Sequence, residues 1–396
     1  MNRKEFIKQF ALLGIGAPLM ASLLGACDGK EDFPTVEGDF SGKVLIVGAG
    51  AAGITAGYLL ARQGIDFQIV EAAAGFGGRV KRLDGFADFP IDLGGEWIHT
   101  DPSILSELIS DSSVQAKVDL VNYRPQTVSV WKNNQLKKRN FVSNFYREYK
   151  FKRTTWYGFF EKFMIPRIED KILYNRPIAS IDYSADKVRA TDVHGNAYEA
   201  DRMLVTVPIS ILQQNLISFE PALPQRKMDA LDSIDFPPIL KVFIEFSERF
   251  YPDMTVIDGI LIQEKLYYDA AFGKDAEKHI LGLFVIGDYA VEYNEMASEE
   301  AVVQSVIEEL DDMFDGQASA NYVKSVVQNW TKEPYIRGSY SHFQADYTST
   351  IETLVEPLGG NKLFFAGEAM VLNGDTSTVH GAAESAYQAI QKIMQS

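Results

Sequence analysis

The sequence predicts an α/β fold that opens on a Rossmann-type βαβ unit, and three observations within Lys43–Arg79 predict it. An apolar run with strand character, Lys43–Val47, leads into a glycine loop. In that loop Gly48, Gly50 and Gly53 give the spacing GxGxxG, and a helical pattern follows. A second apolar run, Phe67–Val70, ends at Glu71, 18 residues beyond Gly53. Strand, Gly-rich turn, helix, strand and acid follow in the order of a parallel crossover.

Each piece has a physical task. Gly48 permits the tight turn, and Gly50 lets backbone approach a pyrophosphate beside Ala51 and Ala52. Gly53 lets the helix pack close to the strand. The helix N-terminus presents free N–H groups and a positive dipole end to the phosphates. Glu71, followed by Ala72, stands where an acceptor for a ribose 2′-OH belongs, and a carboxylate there disfavours a 2′-phosphate. The motif predicts an adenine dinucleotide without that phosphate and leaves NAD and FAD both open.

At 396 residues the chain can hold one large or two ordinary domains, and 46% hydrophobic with 23% charged residues is a globular composition. Residues 1–27 read as a leader. Arg3 and Lys4 precede the apolar run Phe10–Leu24, which ends in Leu24-Gly25-Ala26-Cys27. That run is short and interrupted by Gly and Pro for a membrane span. LGAC resembles a bacterial lipobox, which implies cleavage before Cys27, lipidation of its sulfur and an exported, membrane-anchored lipoprotein. A plain signal peptide is the alternative. Asn2–Lys8 also resembles a twin-arginine export signal with Lys4 in place of the second arginine, and residues 28–40 read as a polar linker.

Formal charge is −16, and the leader carries +2 through Arg3, Lys4 and Lys8 against Glu5, which leaves −18 beyond it. That balance argues against nucleic acid as a partner. It mildly favours cationic molecules such as amines. The single cysteine, Cys27, allows no disulfide within one chain. The five histidines show no metal-ligand spacing, and no metal is expected.

Further motifs follow the βαβ unit in order. Gly77-Gly78-Arg79 precedes Asp92-Leu-Gly-Gly-Glu-Trp-Ile-His99, and then come Asn175-Arg-Pro-Ile178, Val205-Thr-Val-Pro208 and Leu240-Lys-Val-Phe-Ile-Glu-Phe246. Trp330 is followed by Arg337-Gly-Ser-Tyr340, and Leu363-Phe-Phe-Ala-Gly-Glu368 by Ser377-Thr-Val-His-Gly-Ala-Ala-Glu-Ser-Ala386. From about Lys43 to Ile393 the chain resembles the flavin-containing amine oxidase superfamily of monoamine oxidases, polyamine oxidases, L-amino-acid oxidases and flavin histone demethylases.

The resemblance implies FAD, and with no cysteine beyond Cys27 a thioether link is impossible, so the FAD is expected to be noncovalent. It assigns Gly78, Arg79, Gly94, Gly95, Glu96, Trp97, Ile178, Trp330, Gly367, Glu368, Thr378 and Val379 to the cofactor, beside the residues of the glycine loop. Arg79 suits phosphate oxygens through its guanidinium fork. Glu368 suits ribityl or ribose hydroxyls. Residues Thr378–Ala389 read as a helix whose first turn, around Val379, favours negative charge on a reduced flavin. A bland N-cap at Ser377 or Thr378 gives the same pattern.

Candidate catalytic residues are Lys241, Tyr340 and Thr378. In the strand pattern Val242, Ile244 and Phe246 face one way and Lys241, Phe243 and Glu245 the other. By itself Lys241 is a snorkelling edge residue or a buried functional amine. The resemblance makes it the lysine that holds a water beside flavin N5 and assists oxygen chemistry. It also makes Tyr340 one wall of the substrate cage and Thr378 the stand-in for a second cage tyrosine.

The implied architecture is a two-domain α/β fold of the glutathione-reductase-like FAD class with a mixed α+β substrate domain. The FAD-binding domain would gather 41–100, 172–225 and 355–396, and the substrate domain 101–171 and 226–354 with a helix over Ser298–Met313. Between His99 and Ile178 lie fewer than 80 residues, where relatives carry a longer helical insertion, so a reduced lid is expected. The same region, from Lys132 to Lys171, holds 11 Lys/Arg against four Asp/Glu, interleaved with Phe145, Tyr146, Tyr149, Trp156, Tyr157, Phe159 and Phe160. It reads as a solvated face backed by core aromatics, or as a surface for lipid headgroups or an anionic partner. The expected activity is oxidation of an amine to an imine with O2 reduced to H2O2. Alternatives are an oxidase of an amino acid, a porphyrinogen or a polyene on the same fold, and a noncatalytic surface lipoprotein.

Overall fold

Five short strands form a parallel sheet in the order Leu363–Phe365, Arg202–Val205, Val44–Val47, Phe67–Val70 and Ile172–Leu173. The computed structural model describes residues 36–396 apart from 112, 115, 116, 140–147, 259–263, 344–346 and 373. Residues 1–35, on which the expected leader, Cys27 and most of the expected linker fall, lie outside the described residues, as do Phe145 and Tyr146.

The central strand is buried on both faces, as a continuous apolar run in a parallel sheet must be. Val44 and Ile46 face one core, built with the helices Ala51–Gln63 and Val379–Met394. Leu45 and Val47 face a second core that includes Ile181, Val188 and Ala190. Those three belong to a four-stranded sheet in the order Ala197–Ala200, Val188–Asp192, Ile178–Asp182 and Ser218–Glu220. Glycine sets the approach of the first helix: a Cβ at Gly53 would lie 1.9 Å from Gly48 O, so the helix start rests on the turn itself.

A seven-stranded sheet has the order Tyr322–Asn329, Ile239–Phe246, His279–Ile286, Lys265–Asp269, Met254–Ile257, Val128–Lys132 and Gln135–Arg139. Its pairs are antiparallel except Met254–Ile257 with Val128–Lys132. Strand alternation decides the two faces of Ile239–Phe246. Leu240, Val242, Ile244 and Phe246 pack with Val306 and Leu310 of the helix Glu299–Met313, which Ser298 caps by accepting from Ala301 N at 3.3 Å. Phe243 packs with Phe86, Phe89 and Tyr268 on the other face, the face that carries Lys241.

The basic-aromatic stretch contributes to the first core. Trp156, Phe159 and Phe160 of the helix Trp156–Phe163 are buried there, and Tyr157 stacks on Phe76 with ring centroids 4.3 Å apart. The strand Glu148–Phe151 pairs antiparallel with Leu120–Tyr123. No helix among the described residues is long and apolar enough to cross a membrane.

Candidate active site

Parallel strands send their following turns to the same sheet edge. The turns after Val44–Val47 and after Leu363–Phe365 therefore open at the same edge, with the strand Arg202–Val205 between them, and the helices that follow, Ala51–Gln63 and Val379–Met394, pack together. Glu71 closes the first turn: its Oε2 accepts from Ala49 N at 2.6 Å and its Oε1 from Ala73 N at 2.8 Å. Burial pushes this carboxyl up, while those backbone donors pull it down. Arg176 N donates to Glu71 O at 2.8 Å and Asn175 N to Ala73 O at 3.0 Å, which brings the segment leading to Ile178 alongside Glu71 and Ala72.

The space over this edge suits a dinucleotide. Gly50 bridges Gly77, yet a Cβ on Gly50 would meet nothing nearer than Gly77 O at 4.0 Å. A Cβ on Gly367 would meet nothing within 4 Å. Gly78, at φ 57°, sits with its Cβ direction 3.4 Å from Gly50 Cα. Two glycine-lined openings beside two helix N-termini form a cradle for an anionic group.

The remaining motifs converge from distant positions. Arg79 Nη1 lies 2.8 Å from Glu368 Oε1 and donates to Ser339 O at 2.9 Å. Glu368 Oε2 accepts from Ser341 Oγ at 2.6 Å. A Cβ on Gly94 would fall 1.8 Å from Arg79 O, and one on Gly95 would fall 2.6 Å from Val379 Cγ2. Trp330 Nε1 donates to Leu93 O at 2.9 Å. Arg79, the Gly94–Gly95 loop, Trp330, Glu368 and Val379 thus occupy one region. Thr378 Oγ1 accepts from Gly381 N at 2.9 Å and donates to Asp375 O at 2.7 Å, the bonding of an N-cap. The Tyr340 ring stacks on His342 at 4.9 Å, and burial, then the Glu368 charge, raise its hydroxyl.

Lys241 is 2% exposed, and its Nζ donates to Glu96 Oε2 at 2.8 Å, Asp92 O at 3.0 Å and Gly94 O at 3.2 Å. An ammonium has three donors, so all are spent on the protein. Glu96 is shared: Lys150 Nζ approaches its Oε1 to 2.5 Å, and Tyr268 OH donates to its Oε2 at 2.6 Å. Sequence reasoning missed Lys150 and Tyr268. Alternation in Glu148–Phe151 sets the face of Lys150, but a lysine in a basic run carries no mark of burial. Glu96, expected at the cofactor, spends its carboxylate on the two lysines, and Trp97 presents its ring to both.

Burial by itself would raise the Glu96 carboxyl; the charges and hydrogen bonds of Lys150 and Lys241 overcome it and hold the group at about 2. A carboxyl held below its unfolded value of 4.5 stabilises the fold above that pH and loses the contribution as pH falls toward 2. The contribution is about 3 kcal/mol. A melting curve followed from pH 5 down to 2 is expected to show an acid limb that Glu96→Gln lacks.

An amino-acid substrate would need a cation for its carboxylate, and two cations that could serve are engaged elsewhere. Exposed Arg337 donates to Gln214 Oε1 at 2.7 Å, and Lys152 pairs with Asp275 at 2.9 Å. His99 Nδ1 lies 2.8 Å from Glu148 Oε1, and His380 Nε2 lies 2.8 Å from Asp375 Oδ2. Among the described residues no group of His, Cys, Asp and Glu could hold a metal ion.

A parallel nucleotide-binding sheet, joined at its turn edge by a lysine from a second sheet, defines a flavin-dependent oxidoreductase. The chain belongs to the flavin containing amine oxidoreductase family, whose profile matches residues 51–164 and 160–394. Its cofactor is FAD, which the glycine cradle, Arg79 and Glu368 fit. Among curated proteins it is similar to human lysine-specific histone demethylase 2, with 29% identity over 231 residues. It is also similar to lysine-specific histone demethylase 1 homolog 2 of Oryza sativa, with 28% identity over 232 residues. These alignments cover 55% and 56% of this chain but 27% and 30% of the relatives, so the chain matches under a third of their length. Among solved structures, cyclohexylamine oxidase from Brevibacterium oxydans superposes with TM-score 0.74 at 15% identity, covering 90% of this chain and 99% of that one. A putrescine oxidase bound to putrescine gives TM-score 0.73 at 15% identity, covering 89% and 98%. At such identity the likeness is one of fold.

Proposed function

We propose that this chain is an FAD-dependent amine oxidase that converts a C–N bond of a primary or secondary amine to an imine, with O2 reduced to H2O2. One observation carries the proposal: the Gly94–Gly95 loop touches the start of the C-terminal helix at Val379 and is bonded from its other side by the buried Lys241 ammonium. Bound FAD would supply the two-electron acceptor: the amine loses two electrons and two protons to become an imine, O2 takes up two electrons and two protons to become H2O2, and water hydrolyses the imine to a carbonyl compound and ammonia or a smaller amine.

The chain's own residues bind, orient and bias charge. The Gly48–Gly53 turn and its helix hold the diphosphate, and Glu71 accepts from ribose hydroxyls. Arg79 and Glu368, paired with each other at 2.8 Å, would offer a guanidinium to phosphate and a carboxylate to ribityl or ribose hydroxyls. Backbone N–H groups at Val379 favour negative charge at the ring edge. With its three protons committed, Lys241 acts as a fixed positive charge rather than a proton donor. Tyr340 supplies an aromatic wall, and Thr378 sets the helix start.

The amine class is supported by the names of the relatives and structural neighbours, which specify an amine or a lysine. An amino acid is less well served, because Arg337 and Lys152 are bonded at the surface. Residues 28–396 are expected to purify yellow, with a flavin visible spectrum. Under anaerobic conditions a panel of amines, polyamines and amino acids should bleach that spectrum for true substrates. Bound flavin that no amine reduces would overturn the proposal.

A further inference from the structure

We infer that Lys150 and Glu96 form a positioning unit for Lys241: Lys150 holds one oxygen of Glu96 so that the other fixes Lys241 beneath the Gly94–Gly95 loop. The inference rests on the amine oxidase reading and gives work to two groups which that reading leaves idle.

Geometry is the first support. Glu96 Oε1 meets Lys150 at 2.5 Å and Oε2 meets Lys241 at 2.8 Å, so the carboxylate is pinned between two ammoniums. Lys241 is in turn fixed in three directions by Glu96, Asp92 O and Gly94 O. Both Glu96 oxygens and all three Lys241 donors are thus engaged.

Charge is the second. One lysine balances Glu96, so the second adds an unmatched positive charge at a site 1% exposed. Burying such a charge is costly, and an apolar side chain would fill the space without that cost. Burial, then the Glu96 charge, raise the Asp92 carboxyl, while Asp269 pairs with Arg249 at 3.2 Å. Burial, then the Lys150 charge, push the nearby Lys274 ammonium down to about 8, and Tyr123 and Tyr268 are kept protonated by burial. The Lys150 ammonium instead faces the rings of Trp97, Tyr123 and Tyr268 at 5.2, 5.1 and 4.9 Å. Three rings around one ammonium are a cation box, a more specific arrangement than packing requires.

Chain connectivity is the third. Lys150 lies on Glu148–Phe151, and the neighbouring Tyr149 exchanges backbone hydrogen bonds with Ile98 at 2.8 and 3.1 Å. Ile98 is two residues beyond Glu96. The strand that closes the Gly94–Trp97 loop therefore also delivers the ammonium that holds its carboxylate.

The test uses FAD-loaded protein. Its flavin is reduced anaerobically by light with oxalate as the electron donor and no amine present, then mixed with O2 and followed for reoxidation across pH 6–10. Lys150→Met should keep FAD and reoxidise about 10- to 100-fold more slowly per bound flavin, with a displaced pH profile. Lys150→Arg should recover most of the rate. If Lys150→Met does not fold, Lys150→Gln, which keeps a donor without charge, is judged by the same criteria. A wild-type rate and pH profile in the neutral variant would overturn the inference. So would lower melting temperature or FAD affinity with the rate per bound flavin unchanged, which assigns Lys150 to structure. A wild-type protein that binds no FAD removes the functional reading and this one together; lack of an amine substrate leaves the measurement intact.

Discussion

Gly50→Ala is expected to leave the FAD-free protein as stable as the wild type while weakening FAD binding about 10- to 100-fold, the equivalent of about 1–3 kcal/mol of overpacking. Gly50 has φ −76° and ψ −175°, a backbone any residue adopts. The added methyl would meet no protein atom nearer than Gly77 O at 4.0 Å, so the fold has no reason to object. What the methyl enters is the opening at the helix N-terminus, where a diphosphate must approach backbone N–H groups closely. Gly53→Ala is the contrasting change, because its methyl would lie 1.9 Å from Gly48 O and must displace the helix from the turn. Melting temperature and flavin titration, measured on both, separate the cofactor's demand for glycine from the fold's. Undiminished FAD affinity in Gly50→Ala would place the diphosphate somewhere else.

Lys241→Met is expected to slow reoxidation by O2 about 100-fold, the loss typical when one preorganised electrostatic partner is removed. FAD affinity should change far less. The fold should survive because Glu96 keeps Lys150 and the Tyr268 hydroxyl, a balanced pair. The carbonyls of Asp92 and Gly94 lose their donor, which costs about 1–3 kcal/mol each where water cannot replace it. A lowered melting temperature therefore accompanies the kinetic effect without explaining it, and rates are compared per bound flavin in stopped flow. Reoxidation at the wild-type rate would remove Lys241 from the chemistry. Glu96→Gln is the harsher change for stability: two buried ammoniums would face each other without a carboxylate, a loss of about 3–5 kcal/mol for a broken buried pair.

Much of the cofactor-binding half was legible because its signals are short-range. A glycine turn between an apolar strand and a helix is readable within a few residues, and Val44–Val47, Ala51–Gln63 and Phe67–Val70 follow one another as that pattern requires. The Ser298 and Thr378 caps are equally local. Alternation also placed Lys241 on the face of Phe243. It could not say what covers that face, since the covering residues, Asp92 through Trp97 and Tyr268, come from other segments.

The basic stretch was legible in part. Trp156, Phe159 and Phe160 are the core aromatics expected behind a solvated face, but Lys150, expected on that face, is among the most buried side chains. A charged run stays at the surface only where folding brings no partner charge to it. Here a carboxylate 54 residues away in sequence admits the lysine to the interior.

From the amino-acid order alone came the nucleotide turn, the acid that meets it, the family motifs and the face of the catalytic lysine candidate, because each depends on period and spacing within one segment. Only the tertiary structure decided the ion-pair partners: Arg79 with Glu368 across 289 residues, and Glu96 between Lys150 and Lys241. Coulomb attraction and desolvation depend on distance and burial, and those are set by how the sheets and their loops pack.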